Sequence, residues 1–352
     1  MSEYIALDVH KHYTFAEREA IDTGRVRHCR IDHARGNIRQ YLARTDPGTK
    51  VAVEATGNWY WIVEEIEEAG LEPALVHPYK AKMMLACINK TDKLDVHGMN
   101  RLQRTGTLPT VWIPPASIRD LRDLPRTRMF LVRERARIKN RIQSALSKYA
   151  LDVKGYTDVF GQKGRQEMEK HVQQLPPQTQ AVTHELLQQL DVINEHIEAE
   201  EQRIKQLVKD TAEMQRLMTL PGVGRILSVV MALEIGDIRR FASAAHFASY
   251  CGLTPRVHAS GDKVRFGRLR SDVNRYLKWA YIEAAASIRA HQNSHPARHV
   301  VRLYKRVGER RGFQKGVGAV ARHLAEATFY MLSRQEDYKE PTGAQRRATT
   351  GT

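Results

Sequence analysis

"YIALDVH", residues 4–10, is the stretch on which the reading of the fold turns. It alternates, is rich in β-formers, and reads as a strand ending at Asp8. "TFAEREA" (14–20) and "RVRHCRI" (25–31) read as its two antiparallel neighbours, joined by a hairpin turn at Asp22–Gly24. "GNIRQYLART" (36–45) reads as a helix, and "KVAVEATG" (50–57) as a fourth strand with Glu54 at its end. "WYWIVEEIEEAG" (59–70) is an amphipathic helix stopped by Gly70. "EPALVHP" (72–78) is a fifth strand, and "KLDVHGMNRLQRTG" (93–106) is a helix carrying Asp95, with Asp92 near its start. Three strands, helix, strand, helix, strand, helix is the element order of an RNase H-like α/β domain, which would occupy residues 1–112.

That order gives the acids a meaning. In such a sheet the first strand is central and the fourth lies beside it, so Asp8 and Glu54 would end up within a few ångströms. Both interrupt apolar strands, where an acid is costly without a partner. Asp92 and Asp95, three apart, share one helix face. Taken alone, that pair is an ordinary solvated helix face. Packed on the same sheet edge, it would complete a group of four carboxylates, which cannot stay ionised together without a cation. Hard divalent ions with oxygen ligands, Mg²⁺ or Mn²⁺, suit the set, and two such ions would serve phosphodiester chemistry. His10 and Lys11, just past Asp8, read as contacts to a scissile backbone. His97, Trp59 and Trp61 read as packing residues.

The charge points to a polyanion. Lys and Arg exceed Asp and Glu by 56 to 40, a net charge of +16 with a pI near 9.8, and nucleic acid is the first candidate partner. The three cysteines, Cys29, Cys87 and Cys251, have no metal or disulfide spacing, which fits a reducing cytoplasm. No run of about 18 apolar residues predicts a membrane span, and the first residues do not form a signal peptide.

Residues 113–179 read as a basic helical linker, with ten Lys/Arg against three Asp/Glu between Ser117 and Ala150 and an irregular stretch from Gly155 to Pro177. Residues 180–218 read as one long helix whose heptad-spaced apolar residues, broken at Glu200 and Thr211, predict a coiled coil (180–216) or a helical hairpin arm. From 217 to 335 a mainly α domain follows. Its "LMTLPGVG" (217–224) resembles a helix-hairpin-helix turn, in which glycines bring backbone close to a phosphate. The loop "ASGD" (259–262) is ringed by Arg256, Lys263, Arg265, Arg268 and Arg270, which would hold a phosphate. The polar stretch 336–352 reads as disordered.

"ALDVHK" (6–11), "VAVEATGNWYW" (51–61), "NKTDKLDVHGM" (89–99), "LMTLPGVG" and "YCGLTPRVHASGDKVRFGRLRSDVNRYL" (250–277) together resemble the DEDD transposases of bacterial insertion sequences, the IS-one-ten group. The resemblance spans residues 4 to 330. It implies a RuvC-like domain with Asp8, Glu54, Asp92 and Asp95 as the metal-binding acids, and a C-terminal domain with Ser260 as nucleophile. It also implies a homo-tetramer (a dimer of dimers), a composite site between protomers, an element-encoded bridge RNA that pairs with donor and target DNA, and a covalent serine–DNA intermediate. A cytoplasmic, nucleoid-associated protein is expected. Many relatives carry Ser-Ser-Gly where this chain has Ala259-Ser260-Gly261, so a helper role for the first hydroxyl is missing. Two rivals remain: a metal-dependent endonuclease or junction resolvase using water, and a non-catalytic nucleic-acid-binding scaffold.

Overall fold

In a computed structural model of the chain, residues 2–85, 91–260, 263–269 and 273–341 are described, with backbone alone for residues 258–260, 263, 264, 266 and 268. Cys87 and Arg270 lie outside the described residues. The chain divides into two compact units, 1–114 and 115–352.

The first unit is a five-stranded sheet with β1 (Glu3–Val9) at its centre. β2 (Tyr13–Ala20) and β3 (Val26–Asp32) run antiparallel on one side, and β4 (Lys50–Glu54) and β5 (Glu72–Val76) run parallel on the other. The order is β3-β2-β1-β4-β5. Helices α1 (Asn37–Leu42), α2 (Trp59–Glu68), α3 (Pro78–Leu85) and α4 (Asp92–Arg104) connect or flank the strands. Apart from α3, every element matches the sequence reading.

The two-residue period of the strands sorts the sheet into two faces. Ile5, Leu7, Val51, Val53 and Leu75 pack with Ile38 and Leu42 of α1 and Ile62, Val63 and Ile66 of α2. Ala6, Ala52 and Val76 pack with Val96, Met99 and Leu102 of α4. Burying the Ile, Leu, Val and Met side chains contributes roughly 1.5–3 kcal/mol each before the entropy of ordering is set against it. Asp8 and Glu54 stand two residues beyond Ala6 and Ala52, on the α4 face.

Polar contacts fix how the helices dock. Glu17 of β2, wholly buried, accepts a hydrogen bond from Asn100 of α4 at 3.0 Å and lies 3.3 Å from His97 Nδ1 and 2.9 Å from His28 Nε2. Arg104 pairs with Glu19, and Gln103 donates to the Ile5 carbonyl at 2.7 Å. On the other face the buried carboxylate of Glu65 in α2 accepts from the backbone N–H groups of Gly36, Ile38 and Arg39, capping α1 from outside.

The second unit is mostly helical: α5 (Ala116–Leu121), α6 (Asp123–Ser147), α7 (Gln162–Val172), α8 (Pro177–Leu207), α9 (Ala212–Met218), α10 (Arg225–Ile235), α11 (Ala244–Tyr250), α12 (Arg275–Ala290), α13 (His299–Arg311) and α14 (Phe313–Arg334), with a hairpin of β6 (Pro255–Ser260) and β7 (Lys263–Leu269). Three sequence expectations are corrected. The irregular stretch 155–177 contains α7, whose Met168 and Val172 join Ile142 and Leu146 of α6 and Leu186, Leu187 and Leu190 of α8 in one core. The single helix expected from 180 to 218 is two helices. Val208 turns extended, and the Thr211 side chain caps α9 by accepting from Met214 N. Arg225 secures the break by pairing with Asp210 and donating to the Val208 carbonyl. The apolar face of α8 is covered along Leu186–Leu190 by α6 and α7 of the same chain. Of the stretch 336–352 expected to be disordered, residues 336–341 are described, and they dock: Tyr338 N donates to Thr219 Oγ1 at 2.9 Å, and Glu340 accepts from His299 N at 2.8 Å.

The Pro221–Gly224 turn does join two helices, but Gly222 serves the interior. It has φ +78°, and a Cβ there would stand 2.4 Å from the Ala284 carbonyl oxygen of α12. No described helix is long and apolar enough to cross a membrane.

Candidate metal centre

β1 delivers Asp8 to the carboxyl end of the sheet, 5% exposed. Two residues on, His10 returns to the same side, and the chain turns into β2 through a His10 N–H bond to the Tyr13 carbonyl at 2.9 Å. Asp92 arrives as the first residue of α4. Thr91 caps that helix by accepting from Leu94 N, and the free N–H groups of the first turn favour the negative charges of Asp92 and Asp95.

The three side chains converge. His10 Nε2 lies 3.1 Å from Asp8 Oδ2 and 3.3 Å from Asp92 Oδ2. One ligand atom from each of Asp8, His10 and Asp92 falls within 4.8 Å of the other two. Tyr13 donates its hydroxyl to Asp92 Oδ2 at 3.1 Å and stacks on the His10 ring at 4.4 Å. That hydrogen bond, with some desolvation, holds the Tyr13 phenol above its ordinary value, so it remains a donor. The Arg30 guanidinium covers the other side of Tyr13 at 4.1 Å. In the loop after β4, Asn58 donates to the His10 carbonyl at 3.1 Å and accepts from Thr56 Oγ1 at 2.9 Å.

A divalent cation fits this donor set. His10 Nε2 is buried and hydrogen-bonds to no protein group, although two carboxylate oxygens flank it. Two carboxylates and an imidazole are ordinary cation ligands.

The expected acids divide. Asp8 and Asp92 are brought together. Glu54, half-buried at the end of β4, and Asp95, half-buried one turn into α4, stand outside the group of three. Leu7 pairs with Val53 in the ladder, so Glu54 is the next position beside Asp8. Lys11 is exposed in the β1–β2 turn. His97 turns to Glu17 rather than to the centre, and Trp59 and Trp61 pack against the core. Tyr13, Asn58 and Glu17 were not legible as site residues. Only His10 carried a usable signal, its two-residue spacing from Asp8.

Ser260 ends β6 opposite Lys263 in the ladder, and His258 lies opposite Arg265. The side chains of Ser260, Lys263 and Arg268, and the whole of Arg270, lie outside the described set. Arg256 and Arg265 are exposed. The charge is divided sharply: residues 1–114 hold fifteen Lys/Arg and fifteen Asp/Glu, so the entire excess of +16 belongs to 115–352.

Two family models match the chain. One, a DEDD transposase of the IS110 group, covers residues 5–151. The other, the transposase IS116/IS110/IS902 family, covers residues 214–300. The first holds all four acids and the second holds Ser260, and they place the chain in the class of transposases, enzymes that process DNA. It is 27% identical to a probable family 20 transposase of Pseudomonas aeruginosa, over 88% of this chain and 91% of that protein. It is 25% identical to the transposase for insertion sequence element IS1111A of Coxiella burnetii, over 82% and 79%, and 29% identical to a pilin gene-inverting protein of Moraxella bovis, over 59% and 57%. The chain belongs to the IS110 family of insertion-sequence transposases.

Proposed function

We propose that this transposase recombines DNA through two sites: an RNase H-like metal centre of Asp8, Glu54, Asp92 and Asp95, and a nucleophilic Ser260 on the β6–β7 hairpin. The convergence of Asp8, His10 and Asp92 at the end of the central strand carries this reading. The strand order β3-β2-β1-β4-β5, with two antiparallel pairings followed by two parallel ones, supports the RNase H-like assignment. Mg²⁺ or Mn²⁺ is the cation, and when bound it supplies Lewis acidity to phosphate oxygens.

The chain's own residues do the rest. Asp8 and Asp92 bind the cation, Tyr13 orients Asp92, and the hydrogen bond from Asn58 fixes the backbone that carries His10. Arg256 and Arg265, with Lys263, Arg268, Arg270 and Lys11, neutralise the phosphate backbone. Ser260 Oγ loses its proton and attacks the scissile phosphorus. The bond to the departing sugar oxygen breaks, and that oxygen takes up a proton. A hydroxyl of the second strand later displaces the serine and restores the diester. Relatives named as transposases for insertion sequences, and one named for inverting a gene, support exchange rather than simple cutting. The cationic unit 115–352 is the surface for donor and target DNA and for a bridge RNA. Val182, Val192 and Leu207, exposed along α8, suit a second copy in a tetramer. The protein works in the cytoplasm, on the nucleoid.

The test is chemical. Protein is combined with its element ends, the flanking transcript and Mg²⁺, then denatured and examined by mass spectrometry. A nucleotide attached to Ser260, absent in Asp8→Ala, is the expected result. Cut DNA without an adduct would overturn the serine step. It would favour the second reading, a water-using nuclease, to which the assembly of the metal centre wholly from residues 1–114 lends weight.

A further inference from the structure

We propose that His10 is an inner ligand of the metal centre, and that its nitrogen biases the site towards Mn²⁺ over Mg²⁺. This rests on the reading of Asp8 and Asp92 as cation ligands.

The spacing is the first reason. Adjacent ligands of an octahedral cation at about 2.1 Å stand about 3.0 Å apart. His10 Nε2 lies 3.1 Å from one carboxylate oxygen and 3.3 Å from the other.

Direction is the second reason. An imidazolium bridging the two acids would aim its N–H at an oxygen. Here Nε2 is buried and neither oxygen lies where that N–H points, so the two oxygens flank the ring axis. An octahedral neighbour of a metal-bound nitrogen sits off that axis in this way, by about 45°.

Rigidity is the third reason. The His10 backbone is held at both polar atoms, N–H to Tyr13 and C=O from Asn58, and the ring is stacked on Tyr13. Such outer contacts fix the orientation of a ligating histidine. A carboxylate in place of His10 would suit Mg²⁺ and Mn²⁺ alike. An imidazole favours the transition metal, because Mg²⁺ prefers oxygen donors.

The full chain is titrated with Mn²⁺ alone, and the bound ion is examined by pulsed electron paramagnetic resonance. Wild type is expected to give ¹⁴N modulation from one imidazole. His10→Ala is expected to lose that modulation and to narrow the Mn²⁺-over-Mg²⁺ affinity ratio by about tenfold. His10→Asp, which offers a carboxylate oxygen in place of the imidazole nitrogen, is expected to bind both ions without the nitrogen signal. If Mn²⁺ binding depends on Asp8 but carries no nitrogen signal, or if His10→Ala keeps it, this inference alone is overturned. If Asp8→Ala and Asp92→Ala bind Mn²⁺ as wild type does, the metal-centre reading falls with it.

Discussion

Gly222 and His323 show how single residues carry the second unit. Gly222 combines a left-handed φ of +78° with a backbone approach that leaves no space for a methyl group. Gly222→Ala is expected to cost about 3 kcal/mol or more, combining strain with overpacking, and to lower the urea midpoint of that unit. His323 sits against His299, ring centroids 4.9 Å apart, with Glu326 and Glu340 nearby. Burial, then His299, pushes its imidazole below the ordinary 6.5, and the acids oppose this only in part. The folded state therefore holds His323 neutral while the unfolded chain takes a proton. Its contribution is full above the ordinary value and is lost as pH falls below it. The melting temperature of wild type is expected to fall more steeply from about pH 7 to about pH 5 than that of His323→Gln. At this scale the site was partly legible. Asp8 stood out, with Glu54, because an acid in an apolar strand is costly without a partner; Asp92 and Asp95, an ordinary helix face when taken alone, gained meaning only from the sheet edge expected beside them. Tyr13 and Asn58 did not stand out, because their roles arise only when β2 folds back beside β1 and the loop after β4 reaches His10.

Elements were read well where their period was strong and poorly where a few residues carried the packing. α3, "PYKAKMML", is short and buries only Ala81, so no stripe betrayed it. α7 buries only Gly164, Met168 and Val172 in a polar sequence. Thr211, read as a blemish in a heptad, is a helix cap, and the polar run Lys209-Asp210-Thr211 was the signal for a break. α1, six residues long, depends on a cap supplied by another helix. Glu65→Ala removes the acceptor for three backbone N–H groups and is expected to destabilise the first unit by about 1–3 kcal/mol, read as a lower denaturation midpoint. Glu65→Gln, which keeps one acceptor oxygen, is expected to recover part of that loss.

The whole molecule separates the candidate metal centre from the excess charge. The unit bearing the candidate metal centre is electrically balanced, and the cationic excess lies entirely in the other. Binding to duplex DNA is therefore expected to weaken steeply with salt, by roughly 10³-fold or more between about 50 and 200 mM if about six phosphates are neutralised. Arg302, Arg306 and Arg310 form an exposed row on α13. Reversing Arg302 and Arg306 to glutamate is expected to flatten the salt slope. Reversing Arg25 and Arg27, exposed in the balanced unit, is expected to leave the slope nearly unchanged. Electrophoretic mobility shifts across a salt series read both outcomes. The overall basicity was plain in the sequence. So was its concentration after residue 112, where the basic linker was read; the even balance of the first unit follows from the boundary at Pro114.

The two alanines under α4 set how this enzyme is free to drift. Ala6 and Ala52 are wholly buried where the helix bearing Asp92 comes down on the sheet. On the opposite face, Ile5, Leu7, Val51 and Val53 exchange with one another at little cost as long as total volume is kept. Beneath α4 a gained methyl group has no such trade: it lifts the helix and draws one acid away from the other. The same sheet thus offers evolution a permissive side and a forbidding side, and a lineage losing activity by small steps would accumulate its first harmful changes at the smallest side chains in the core.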